Sequence, residues 1–494
     1  MPRAALKPAR PQTVALSHAR ALGLVIPLLA TPALAGGGEG LEGAGLGLVW
    51  VAPFAGLLLS IALVPLLAPR LWHRHFGKIA AAWALAFLLP ALARFGPAPT
   101  LEAVLHVLAR DYLPFMILIA TLYIIAGGVR LQGVLRATPT LNTGILALGA
   151  LLASLMGTTG AAMLTIRPLL RANRHRRSAA HVVIFFIFLV ANIGGALTPL
   201  GDPPIFLGFL QGVEFFWTLR HLAAPTGFAV LVLLALFFLI DCWHFRREPP
   251  PAAAEPSEDP ASEGPGGRLR LEGGANLWLL AAVVGVVLLQ GVWTPDAAVP
   301  VLGVPIPLEV LTANTLLVAL AGLSLHLGSV ATRRQPHTPA LTWTPVQEVA
   351  KVFGAIFITL IPAIAILRAG PEGALSGVFS LVTEGGRPVN GMYFWVTGLL
   401  SGFLDNAPTY LIFFNAAGGD AGRLMTEGAT TLAAISAGAV FMGANSYIGN
   451  APNFMVKAIA EDHGVRMPGF FGYMVWSGLV LMPLFVLETL LFFR

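Results

Sequence analysis

Ten stretches of this chain, near residues 47–69, 78–94, 112–128, 181–218, 222–241, 276–294, 308–330, 350–368, 428–459 and 470–492, are apolar enough and long enough to cross a bilayer. A spanning helix needs about 20 such residues, because a rise of about 1.5 Å each must cover a hydrocarbon core of about 30 Å. Within that core every backbone N–H and C=O needs a partner inside the protein, which selects helices for segments of this length. The chain is therefore expected to be an all-α polytopic membrane protein. Its composition agrees, with 56% hydrophobic and 11% charged residues. The net charge of +6 does not point to nucleic acid, since the Lys and Arg residues lie dispersed between apolar runs. A single cysteine, Cys242, excludes an intramolecular disulfide and a cysteine-based metal cluster.

Residues 1–35 join a basic lead to a short apolar run and a small-x-small site at Ala33-Leu34-Ala35. This is the pattern of a bacterial secretory signal, with an uncleaved first span as the alternative, and the expected location is the bacterial inner membrane. Two further apolar segments, 139–170 and 390–416, are interrupted at their middles by polar or Gly/Pro residues. Taken as re-entrant hairpins, they leave the remaining loops alternating between sides. Most Arg and Lys residues, among them Arg70, Arg74, Lys78, Arg130 and the run Arg171–Arg177, then fall inside, as the positive-inside rule requires. That run also suits anionic membrane lipid. The amphipathic stretch Leu101–Tyr112 suits the outer interface. A Pro/Glu/Ser/Gly-rich segment, 248–274, reads as a cytoplasmic linker between two halves, 36–247 and 275–494.

The halves repeat. GALTPLGDPPIF at Gly195–Phe206 aligns with GANSYIGNAPNF at Gly443–Phe454, an offset of 443 − 195 = 248. The same offset carries Gly157-Thr158-Thr159-Gly160 onto Asp405-Asn406-Ala407-Pro408, at the centres of the two hairpins. Because the halves start on opposite sides, the repeats are inverted, each with one hairpin and one broken transmembrane helix. Paired Gly/Pro-interrupted segments in inverted halves are a sequence pointer to a transport site.

A helix break at bilayer depth presents carbonyls on one side, suited to cations, and free N–H groups on the other, suited to anions. The side chains at the breaks form two expected sites. The first combines Thr158, Thr159, Asn192, Thr198 and Asp202; the second combines Asp405, Asn406, Thr409, Asn445, Ser446 and Asn450. All are hard oxygen donors, which suit Na+ or H+ rather than a soft transition metal. Bland roles exist for each: Asp202 and Asp405 as helix N-caps, the asparagines as partners for freed backbone, and the threonines bonded back to carbonyls.

At these residues the chain resembles the ion transporter superfamily, which includes sodium/proton antiporters and sodium-coupled citrate and dicarboxylate transporters. The resemblance runs from about Val49 to the C-terminus and rests on the tips GTTGAAM and LDNAPTY and the breaks NIGGALTPLGDPP and GANSYIGNAPNF. It implies a two-hairpin elevator transporter, a homodimer in much of the family, that uses no organic cofactor. The dicarboxylate branch carries Ser-Asn-Thr at both tips, whereas the tips here read Gly157-Thr158-Thr159 and Asp405-Asn406-Ala407. Exchange of Na+ for H+ at the two sites is therefore the first expectation, and cation-coupled citrate or dicarboxylate transport the alternative. An intramembrane aspartyl protease is remote, because Leu200 follows Pro199 where a Gly-x-Gly-Asp form would be needed. A passive channel would more naturally show a polar pore stripe.

Overall fold

The computed structural model describes residues 42–132, 137–248, 270–334 and 343–494. The expected leader at 1–35 lies outside them, as does most of the expected linker. Four helices open the described chain: α1 Ala52–Leu67, α2 Pro69–Phe95, α3 Pro97–Val107 and α4 Leu113–Gly127. Each has proline at one of its first two positions, where the missing N–H leaves nothing unpaired and the fixed φ already suits a helix. A five-residue π-helical turn, Leu108–Tyr112, joins α3 to α4. Leu101–Tyr112 thus belongs to one helical run, Pro97–Gly127, rather than to a separate interfacial helix.

After strand β1 (Arg130–Gln132) come α5 Pro139–Met156 and α6 Thr158–Asn173. Gly157 alone separates these two helices, at φ +82°, where an L side chain is strained. The broken helix follows as α7 Ala180–Leu189, a 3-10 turn at Ile193–Leu197 and α8 Pro203–Leu210. Helix α9 Phe215–Arg247 ends the first half. Strand β2 (Arg270–Glu272) then pairs antiparallel with β1, so the end of the expected linker is a short ribbon strand.

The second half continues with α10 Gly274–Val292, the ribbon β3 Ala298–Val301 and β4 Val304–Pro307, α11 Leu308–Arg334 and α12 Thr344–Arg368. Short elements α13 Ser376–Val382, β5 Thr383–Glu384 and β6 Arg387–Pro388 lead to the second hairpin, α14 Asn390–Phe403 and α15 Asn406–Ala416. Beyond α16 Ala421–Thr426, the second broken helix is α17 Ala429–Phe441, a 3-10 turn at Met442–Asn445 and α18 Ala451–Asp462. Helix α19 Phe470–Phe492 closes the chain.

Among the described residues, ten helical runs are long and apolar enough to span a membrane. They are not the ten stretches read from hydropathy: the 428–459 stretch is divided between α17 and α18, and the hairpin arm α5 qualifies by itself. The protein is an all-α polytopic membrane protein.

The helices pack as two sets. One holds α1, α2 and α3 packed on α12, and α10 and α11 packed on α4, with α12 against α4; the other holds α5–α9 and α14–α19, gathered around the two breaks. The sets meet where α12 packs on α15 and α4 packs on α6. In the second set, α7 from Val182 to Leu189 and α17 from Thr431 to Phe441 are buried on all sides, as apolar helices at a bundle centre must be. Leu231, Trp278 and Leu479 are by contrast largely exposed, the surface that lipid would cover.

Candidate functional site

Both breaks are built alike. A Cβ on Gly201 would lie 2.0 Å from the carbonyl oxygen of Gly195, and a Cβ on Gly449 would lie 2.5 Å from that of Gly443. Only glycine fits such approaches. Thr198 donates its hydroxyl to the Ser154 carbonyl and accepts from the Leu200 N–H at 3.2 Å. Ser446 donates to the Gly402 carbonyl at 2.6 Å and accepts from the Ile448 N–H at 3.2 Å. Each residue of the second group stands 248 positions after its counterpart (198 + 248 = 446, 154 + 248 = 402, 200 + 248 = 448). These hydroxyls satisfy backbone that the breaks leave free, and both tie a break to its hairpin.

The side chains do not form two separate clusters. Asp202 is buried, and its Oδ1 accepts from the Thr158 hydroxyl at 3.0 Å and from Asn450 Nδ2 at 3.1 Å. Its Oδ2 accepts from Asn406 Nδ2 at 2.5 Å. Asn450 Nδ2 also faces Asn192 Oδ1 at 3.2 Å and the Ala191 carbonyl at 3.1 Å. Asn192 in turn donates to Asn453 Oδ1 at 2.7 Å and to the Ile187 carbonyl at 2.8 Å. Asn453 then reaches the Gly443 and Ser446 carbonyls, each at 2.9 Å. The two expected groups are thus linked: Asn406 and Asn450, assigned to the second, bond the carboxylate of the first. The reason is geometric, since each broken helix packs in the middle of the same helix set.

Helix ends explain the chemistry of this junction. Thr158 is the first residue of α6 and Asn406 the first of α15, while Asp202 and Asn450 are the N-caps of α8 and α18. Four helix N-termini, two from each half, therefore meet around one carboxylate. Each carries a partial positive charge, which favours an anion.

The other expected residues divide by role. Asp405 caps α15, accepting from the Ala407 N–H at 3.1 Å, and Thr409 donates back to the Asp405 carbonyl at 2.9 Å. The Asn445 carbonyl accepts from the Ser477 hydroxyl at 2.7 Å. Among the described residues, Asn406 Oδ1 and Asn445 Oδ1 are buried without a hydrogen-bond partner, which leaves two hard oxygens free. Thr159 lies beside Thr158 on a mostly apolar cavity that reaches Asp202, walled by Phe115 and Leu122 of α4 and Val346 of α12. The cavity thus opens between the two helix sets.

Two features escaped the sequence. Asn453 is wholly buried at the centre of the network, but the 248-residue offset sets it opposite Ile205, which hid it. The second is a buried polar cluster around Asp241 of α9. Asp241 accepts from Arg176, from His181 at 2.8 Å and from Asn142 at 2.9 Å, while Asn142 and Asn173 exchange bonds at 3.0 and 2.8 Å. Arg176 belongs to the basic run Arg171–Arg177, which the charge pattern reads as an anchor of topology. The available signal was Asp241 itself, an acid near the end of an apolar run.

Interrupted helices that meet at a buried carboxylate inside a multi-pass helical bundle define a membrane transporter. Residues 43–493 match the family described as "Putative citrate transport", and the chain belongs to that family. A search of the curated proteins found no match. The family falls within the resemblance drawn from the hairpin tips and breaks, and it favours the citrate alternative over sodium/proton exchange.

Proposed function

We propose that the protein carries citrate, or a related di- or tricarboxylate, across the membrane together with a cation, Na+ or H+. The observation that supports this most is the meeting of four helix N-termini at Asp202, beside a cavity between the two helix sets. Helix N-termini suit the substrate carboxylates. Asp202, Asp405 and the free oxygens of Asn406 and Asn445 suit the cation, with Thr158, Thr159, Asn192, Thr198, Thr409, Ser446 and Asn450 shaping the breaks. An anionic substrate and the Asp202 carboxylate repel each other, by about 3 kcal/mol at roughly 5 Å and an effective dielectric of about 20. A cation held between them removes that repulsion, so substrate affinity rises about a hundredfold when the cation is bound. That is coupling in physical terms.

The matched geometry at an offset of 248 supports an inverted repeat, and the cavity between the sets supports an elevator motion of one set past the other. A homodimer in the bacterial inner membrane follows from the family resemblance. One observation favours sodium/proton exchange as a second reading: the side chains that bond Asp202 are all uncharged, so a proton or Na+ can take the place of a fixed counter-charge.

Proteoliposomes separate the two. Radiolabelled citrate is expected to accumulate when a Na+ or proton gradient is imposed and not without one. Absence of citrate uptake under either gradient, with Na+ alone collapsing a pH gradient, overturns the citrate reading in favour of exchange.

A further inference from the structure

The last helices of the two halves occupy matching positions. Moved by 248, α9 covers 463–495, which contains all of α19 (215 + 248 = 463, 247 + 248 = 495). Each carries a wholly buried acid near its C-terminal end, Asp241 in α9 and Glu488 in α19, one position from exact correspondence (241 + 248 = 489). Asp241 is met by Arg176, His181 and Asn142. The positions corresponding to those three hold Leu424, Ala429 and Asn390, so both counter-charges are lost. Asn390 Oδ1 is occupied by the Thr431 hydroxyl at 2.7 Å.

Glu488 lies on the buried face of α19 with Tyr473, Ser477, Leu481, Leu484 and Phe485. Around it Phe394 of α14 stands 5.9 Å from Phe485 and 4.8 Å from Phe493, and Phe228 of α9 stands 6.1 Å from Phe492. Both of its carboxyl oxygens are buried and, among the described residues, have no hydrogen-bond partner. The titratable side chains of the packed elements are Arg220, His221, Asp241, Cys242, His244, Arg246 and Arg247 on α9, Tyr393 on α14 and Tyr473 on α19 itself; the 3-10 turn Met442–Asn445 has none. None of them bonds Glu488. An ionised carboxylate left without partners in such surroundings is costly.

We propose that Glu488 is a proton-binding site separate from the Asp202 junction, holding its proton in this conformation and exchanging it during transport. Its coupling to substrate rests on the transport reading, whereas its protonation does not. Infrared difference spectra of the lipid-reconstituted protein test the protonation. A carbonyl band of a protonated carboxylic acid at neutral pH is expected to vanish in Glu488→Gln, an uncharged isostere of the protonated acid, and in Glu488→Met. A band that persists in both variants overturns the assignment. In proteoliposomes, proton movement accompanying citrate is expected to fall at least tenfold in Glu488→Gln, and an unchanged proton flux overturns the coupling. Loss of the band in a protein that moves no citrate keeps the proton site and overturns the transport reading instead.

Discussion

Asp202 accepts three hydrogen bonds from buried side chains, so what replaces it matters as much as its removal. Asp202→Ala strands the donors of Thr158 and Asn406, while Asn450 keeps the Ala191 carbonyl and Asn192 Oδ1; with unpaired buried groups at about 1–3 kcal/mol each, the protein is expected to lose at least about 2 kcal/mol of stability. Asp202→Asn keeps the volume and is expected to hold the fold while lowering gradient-driven uptake at least a hundredfold. Thermal melting and flux on the same preparations check both, and a transport-competent Asp202→Asn contradicts the central role of the charge. This residue was legible in the sequence because a carboxylate between apolar runs is expensive and so carries a purpose. Its partners were legible only as a set. Which asparagine would reach it depends on how two broken helices cross, and no local pattern encodes that. Asp405, read as the second carboxylate of a matched pair, serves in the structure as the cap of α15.

The helix breaks were readable as elements because Gly, Pro and hydroxyl residues interrupt otherwise uniform apolar text, and the interruptions coincide at one offset. The length of each piece was less readable: the sequence places the second break within Gly443–Phe454, and the structure ends α17 at Phe441, turns at Met442–Asn445 and starts α18 at Ala451. Close backbone approach inside the breaks gives a direct test. Gly201→Ala and Gly449→Ala each place a methyl group within 2.5 Å of a carbonyl oxygen and are expected to lower the melting temperature sharply. Gly144→Ala in α5 and Gly227→Ala in α9 meet nothing within 4 Å. In those helix interiors alanine is expected to add about 0.5–1 kcal/mol. Equal behaviour of the two groups would show that the breaks tolerate far more space than the geometry allows.

For the molecule as a whole, the division into two helix sets was hidden from the sequence. Lipid and helix neighbours are both apolar, so hydropathy finds a span without saying which of its faces meets protein. The division is crossed by the packing of α12 on α15 and α4 on α6 and by polar bonds, among them Gln211 Nε2 to Asp111 Oδ1 at 3.0 Å and Arg368 Nε to Asn415 Oδ1 at 3.1 Å. If the sets slide during transport, bonds of this kind must break in every cycle. Cysteines at Asp111 and Gln211, in a Cys242→Ser background and joined by a short cleavable bifunctional reagent, are expected to stop citrate flux, with activity returning on cleavage. Flux that continues through a complete cross-link would exclude sliding along this boundary.

The junction at Asp202 also bears on how the protein is made. Its bonds run from Asp202 to Asn406 and Asn450, and from Asn192 to Asn453, across more than 200 residues of chain. While the first half leaves the ribosome, Asp202 and Asn192 enter the bilayer with their eventual partners not yet synthesised. The nascent first half therefore holds a buried acid stabilised only by Thr158 and the ends of α6 and α8, and it cannot reach its final packing alone. Insertion of α15 and α18 completes the network, so the residues of the Asp202 junction also decide when the two halves have joined correctly.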